Sequence, residues 1–169
     1  MGFGKRWMMW IQSCILNVSI QVLINGVPPG SFNTSRGLCQ GCPISPMLFN
    51  MIGEALSVLI YKAMERGIVK GVCIGSSGYQ ISHLQFADDL ILFLEASEDN
   101  IRNTKRVLRI FQAISGLQLN LNKTRMFGIN VDTNTLKVWA DSIKCSTDTS
   151  PTHYLGLPIG NTHNAAQIW

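Results

Sequence analysis

The run Gln80-Ile81-Ser82-His83-Leu84-Gln85-Phe86-Ala87-Asp88-Asp89-Leu90-Ile91-Leu92-Phe93-Leu94 sets two adjacent carboxylates between two apolar stretches. Gln80–Phe86 and Leu90–Leu94 read as strands, so a tight hairpin carries Asp88 and Asp89 at its tip, at one edge of a sheet. Neighbouring like charges are costly there unless something positive sits between them, and a divalent cation is the usual remedy. Two Mg²⁺ ions roughly 4 Å apart, bridged by aspartates, serve nucleotidyl transfer in many enzymes. Aspartate is also a favoured turn residue, and a solvated turn is the competing reading.

The pattern around the hairpin is mixed. Upstream, Lys5 to Ile15 has apolar residues at helical spacing, and Val18 to Ile24 alternates as a half-buried strand before Asn25-Gly26 and Pro28-Pro29-Gly30 mark a turn. The apolar run Ile44 to Met64 predicts a long helix with Ser45 as N-cap, Pro46 in its first turn, Gly67 at its end, and Leu48, Met51, Ile52, Ala55 and Leu59 as its stripe. Gly71 to Ile74 reads as a further short strand. Downstream, Ser97-Glu98-Asp99 caps a helix that Gly116 closes, with Ile101, Leu108, Phe111 and Ile114 as the expected buried face. Leu117 to Leu121 and Thr124 to Ile129 are candidate strands, Asp132 to Ile143 a helix, and Tyr154 to Ile159 a short strand interrupted by Gly156 and Pro158. This order predicts one α+β layer domain.

Composition narrows the class. With 46% hydrophobic and 14% charged residues, the chain is not a disordered tail. A net charge of +4 is compatible with a polyanionic partner without requiring one. The five cysteines form no evenly spaced framework, which predicts free thiols in a reducing compartment. Polar residues Gln12, Ser13, Asn17, Ser19 and Gln21 interrupt the apolar stretch Trp7 to Ile24, so no membrane span is expected there.

Four blocks in order carry a family resemblance. Ser35-Arg36-Gly37-Leu38-Cys39-Gln40-Gly41-Cys42-Pro43-Ile44-Ser45-Pro46-Met47-Leu48-Phe49 resembles the reverse-transcriptase stretch before the long palm helix. Phe86-Ala87-Asp88-Asp89 resembles the catalytic motif of the same family. Ser115 to Asn120 with Asn122-Lys123-Thr124 is similar to its next block, and Tyr154-Leu155-Gly156-Leu157-Pro158-Ile159-Gly160 to the primer-grip block of LINE-type non-LTR retrotransposons, particularly those of plants. The resemblance spans nearly the whole chain. It implies an incomplete polymerase-type palm, an antiparallel sheet with helices packed on one face, over residues 1–169.

The resemblance also implies roles. Asp88 and Asp89 are the catalytic, metal-holding pair, with Mg²⁺ (or Mn²⁺) as cofactor. Arg36, Gly37, Gln40, Gly41 and Lys123 are nucleotide- or template-binding, a solvated lysine being the other reading of Lys123. Tyr154, Leu155 and Gly156 brace the primer terminus, a plain core strand being the alternative. The partners are an RNA template, a DNA primer and a deoxynucleotide, and the location implied is nuclear. The sequence departs from the pattern at Cys42, where the family usually has Asp, and the family's first catalytic aspartate has no counterpart before Gly2-Phe3-Gly4. The isolated chain is therefore expected to be inactive. Cys39-Gln40-Gly41-Cys42 has the spacing of half a zinc site, but further ligands such as His83 or Cys73 are scattered singly. The rival readings are a non-catalytic nucleic-acid-binding palm module and a nucleotide cyclase, and the hairpin carries no nucleotide signature of the latter.

Overall fold

The computed structural model describes residues 2–16, 18–33, 41–75, 78–148 and 152–159. The chain divides into two compact units, residues 1–51 and 52–169. The first unit holds α1 (Lys5–Ile15) and the antiparallel pair β1 (Ser19–Gln21) and β2 (Ser31–Asn33). Asn25 and Gly26 both take positive φ in the tight turn closed by Ile24 and Val27, the conformation that an Asn-Gly pair favours. The long helix α2 (Ile44–Glu65) begins in this unit and continues into the second.

The second unit continues with β3 (Val72–Ile74), β4 (Tyr79–Ile81), β5 (His83–Phe86), β6 (Asp89–Leu92), α3 (Glu98–Ser115), β7 (Arg125–Met126), α4 (Thr133–Ile143), β8 (Ser146–Thr147), β9 (Thr152–Tyr154) and β10 (Leu157–Ile159). The strands form two-stranded sheets: β3–β4, β5–β6 and β9–β10 are antiparallel, and β7–β8 is parallel. The fold class is mixed α+β.

Helix ends follow local chemistry. The Ser97 side chain accepts the Asn100 N–H, and Gly116 closes α3 at φ 74°. The Asp132 carboxylate accepts the N–H groups of Asn134 and Thr135 to start α4. At the end of α2 the Ile68 N–H reaches the Ala63 carbonyl and the Gly67 N–H the Met64 carbonyl, the paired bonds of a glycine-terminated helix. Lys144 ends α4 in the same way at φ 65°, a conformation that strains a side chain with a Cβ.

The core joins Leu56, Ile60 and Ala63 of α2 to Val69 and to Val107 and Leu108 of α3, with Leu90, Leu92, Leu94, Phe111 and Leu119 packed around it. α2 is long and apolar enough to cross a membrane by length and composition, and its Leu56, Ile60 and Ala63 pack with Val107 and Leu108 of α3. Several sequence expectations are corrected, beginning with the expected N-cap Ser45, which lies inside the first turn of a helix that starts at Ile44. The buried stripe of α2 is Gly53, Leu56, Ile60 and Ala63, leaving Ala55 exposed, because α2 is apolar on several faces and its neighbours choose one. Ile114 is 78% exposed, the buried face of α3 being formed by Asn100, Ile101, Thr104, Val107 and Leu108. Residues 117–121 form no strand, and only Arg125–Met126 pairs in the 124–129 segment.

The loops are held by one buried polar residue. Asn100, 4% exposed, accepts the Lys70 N–H at 2.9 Å and donates to the carbonyls of Lys70 at 2.8 Å and Glu95 at 2.9 Å. It thereby ties the start of α3 to the chain before β3 and after β6. Every donor and acceptor of its amide is used, so its burial carries little desolvation penalty.

Candidate active site

The Asp-Asp pair lies at the β5–β6 hairpin, with Asp88 in the turn and Asp89 opening β6 rather than preceding it. Register pairs Phe86 with Asp89 and His83 with Leu92, leaving Ala87-Asp88 as a two-residue turn. Asp88 and Asp89 are both exposed. Ala87 has φ +50° at the first turn position, where glycine is the favoured residue. An alanine there costs about 1–2 kcal/mol, so the surroundings must enforce the shape. The Gln85 Nε2 contributes by donating to the Ala87 carbonyl at 3.3 Å.

β5 lies against the middle of α2, from Gly53 to Tyr61, and its polar side faces inward. The His83 ring is held between the hydroxyls of Ser82 (2.8 Å to Nδ1) and Ser57 on α2 (3.0 Å to Nε2), with Tyr61 edge-on at 5.6 Å. Gln85 packs on Gly53, where an added Cβ would lie 2.7 Å from its Nε2. Two residues of strand rise about 6.6 Å and four of helix about 6 Å, so this spacing matches. As the strand runs from His83 to Gln85 the helix contact moves from Ser57 back to Gly53, so β5 and α2 run antiparallel. Burial holds the His83 pKa below its ordinary value, against the opposing pull of Glu54. A neutral imidazole suits this position, because each nitrogen has a hydroxyl that can donate or accept.

The outer face of β5 is apolar and open. Leu84 is 45% and Phe86 61% exposed, so the hairpin does not present its carboxylates alone. The predicted strand Gln80–Phe86 is also two strands, parted at Ser82, whose carbonyl accepts the Phe93 N–H at 2.8 Å.

The remaining sequence-predicted residues are dispersed. Arg36, Gly37 and Gln40 lie outside the described residues, as does Cys39 of the possible zinc pair. Gly41 has φ +83° with open space around its Cα, as a close backbone approach requires. The neighbouring Cys42 thiol is pulled below its usual pKa by the Ile44 N–H and by Ser45 at the start of α2. Lys123 is exposed at the end of a turn organised by Asn120, whose side chain and carbonyl both accept the Lys123 N–H. No ion pair joins Lys123 to the aspartates among the described residues. The expected interrupted strand Tyr154–Ile159 is a hairpin whose turn, Leu155-Gly156, has positive φ at both positions. The Tyr154 hydroxyl is buried without a hydrogen bond among the described residues. Among those residues no group of three His, Cys, Asp or Glu gathers.

Sequence reasoning missed Gly53, Ser57 and Gln85 and met His83 only as a stray zinc candidate. The signal was present in β5, where polar His83 and Gln85 alternate with Leu84 and Phe86.

Comparison with known proteins decides the family. The profile described as "Reverse transcriptase (RNA-dependent DNA polymerase)" matches residues 1–159. The chain belongs to the reverse transcriptase family. An uncharacterized mitochondrial protein of Arabidopsis thaliana is 46% identical to this reverse-transcriptase chain over 67 residues, covering 40% of the chain and 55% of that protein. The retrovirus-related Pol polyprotein from type-1 retrotransposable element R2 of Popillia japonica is 26% identical over 114 residues, covering 68% of the chain and 18% of the polyprotein. The chain thus spans about half the length of one relative and under a fifth of the other. Reverse transcriptases in general use divalent metal ions and bind RNA template, primer and deoxynucleotides.

Proposed function

We propose that the chain supplies the carboxylate hairpin of an RNA-directed DNA polymerase of a non-LTR retrotransposon, with Asp88 and Asp89 holding divalent metal. The supporting observation is the exposure of both carboxylates at a strained, braced turn, in a chain of this family. The donors fit Mg²⁺ or Mn²⁺, which prefer hard oxygen ligands and keep several waters. They are a partial set, because among the described residues no third ligand joins them. When bound, such ions neutralise phosphate charge during nucleotidyl transfer.

The chain's own residues do the rest. The Gln85 amide, seated against Gly53 of α2, braces the turn through the Ala87 carbonyl. Arg36, Gly37, Gln40, Gly41 and Lys123 would meet template and nucleotide, and Tyr154 to Gly156 the primer end. In the palm reading, α2 and α3 cover one face of the hairpin, and exposed Leu84 and Phe86 suit a further layer on the other.

An NMR titration with Mn²⁺ tests the reading. Paramagnetic broadening should centre on the amides of residues 86–90 and vanish in Asp88→Asn/Asp89→Asn. Broadening that the double variant leaves unchanged would overturn it. The 169-residue chain by itself should not extend a DNA primer on an RNA template with Mg²⁺, because among the described residues the two carboxylates have no third ligand beside them. Synthesis that Asp88→Ala abolishes would overturn the inactivity.

A further inference from the structure

Away from the hairpin, three elements bring four cations together. Lys105 and Arg109 lie one turn apart on α3, about 6 Å along its axis. The Lys105 Nζ donates to the Ser142 carbonyl of α4 at 2.9 Å, which brings it within two residues of Lys144 at the end of that helix. Arg125 pairs across the parallel ladder with Ser146, two residues beyond Lys144. Arg109, Arg125 and Lys144 are exposed, and the nearby acids are Asp141 and Asp148. Cations at the end of α4 partly answer its dipole, and Lys105 does so directly by capping a carbonyl. The Arg109 and Lys144 side chains make no hydrogen bond or ion pair to the described residues. The crowding also registers in Lys105, whose pKa is held below the ordinary value by burial and then by Arg109 and Lys144. Well-compensated lysines shift the other way. The patch therefore carries a net positive charge, with Lys105, Arg109, Arg125 and Lys144 set against Asp141 and Asp148.

We propose that Lys105, Arg109, Arg125 and Lys144 form a docking surface for the phosphate backbone of a single nucleic-acid strand, separate from the Asp88–Asp89 hairpin. That the polyanion is nucleic acid rests on the reverse-transcriptase reading. The spacing of Lys105 and Arg109 is comparable to that of successive phosphates on an extended strand. Such contacts are read by charge and so tolerate any sequence.

The test is fluorescence anisotropy with a labelled single-stranded RNA 20-mer, titrated at several salt concentrations against the 169-residue chain. Arg109→Gln/Lys144→Gln removes two phosphate contacts without breaking a hydrogen bond of the described structure. It should weaken binding at least tenfold and lower the log–log salt slope by about 1.4. Lys62→Gln/Arg66→Gln, at the far end of α2, makes the same change in net charge and should leave the slope within experimental error. Equal losses in the two pairs would overturn the surface and leave only diffuse attraction. Anionic lipid vesicles bound through Arg109 and Lys144 with no binding of RNA would overturn it as well. RNA binding that depends on the patch and persists in Asp88→Asn/Asp89→Asn supports it. If Mn²⁺ also fails to mark the hairpin, the polymerase reading falls while the surface stands.

Discussion

Replacing Asn100 by aspartate exchanges one NH₂ for an oxygen at the residue that ties three segments together. The wild-type Nδ2 donates to the carbonyls of Lys70 and Glu95 at 2.8 and 2.9 Å. In Asn100→Asp both bonds are lost, and an anionic oxygen faces two carbonyl oxygens in a position only 4% exposed. Two net hydrogen bonds are worth about 2 kcal/mol, and a buried carboxylate left with only the Lys70 N–H as donor adds at least about 1 kcal/mol. The expected loss is about 3 kcal/mol. For a cooperative unit of roughly 120 residues, with unfolding entropy near 2.1 cal/mol/K per residue, that lowers the Tm by about 12 °C. Melting followed by circular dichroism at pH 7 and pH 4 measures it. The sign with pH is fixed: the new carboxyl has its folded pKa raised above the unfolded value, so its penalty is full above the folded pKa and fades as pH falls. A neutral carboxyl can again donate to one carbonyl. Melting within 2 °C of wild type at pH 7, or a penalty as large at pH 4, would refute the reasoning.

Other outcomes follow from particular positions. Gly71→Ala places a Cβ 2.4 Å from the Ile81 carbonyl oxygen, a backbone atom that cannot swing aside, and should cost about 2 kcal/mol or more in urea unfolding. An unchanged urea midpoint would contradict that close approach. Lys144→Gly relieves a left-handed residue at the end of α4 and should stabilise by about 1 kcal/mol, so a lowered Tm counts against the assigned backbone conformation. Iodoacetamide with peptide mass spectrometry should modify Cys42 ahead of Cys145 near pH 8. Backbone N–H groups favour the Cys42 thiolate, whereas burial raises the Cys145 pKa. Faster labelling of Cys145 would reverse that assignment.

Much of this protein is written in short-range chemistry. Ser97, Gly116, Asp132 and Gly67 mark helix ends because capping bonds and left-handed φ involve residues within a turn of one another. Asn25-Gly26 and Ala87-Asp88 make their turns for the same local reason, and the family is legible in sequence because its profile matches residues 1–159. Tertiary structure decided what depends on neighbours. Which apolar face of α2 is buried was settled by α3 and β6, since a helix apolar on several sides has no preferred one of its own. The inward turn of His83 and Gln85 needed Ser57 and Gly53, some thirty residues away, to satisfy and receive them. Asn100 reads as an ordinary polar helix residue until the carbonyls of Lys70 and Glu95 are placed around it. The four cations around the end of α4 likewise become one surface only when the fold brings α3, α4 and β7 together, because charge acts through space and not along the chain.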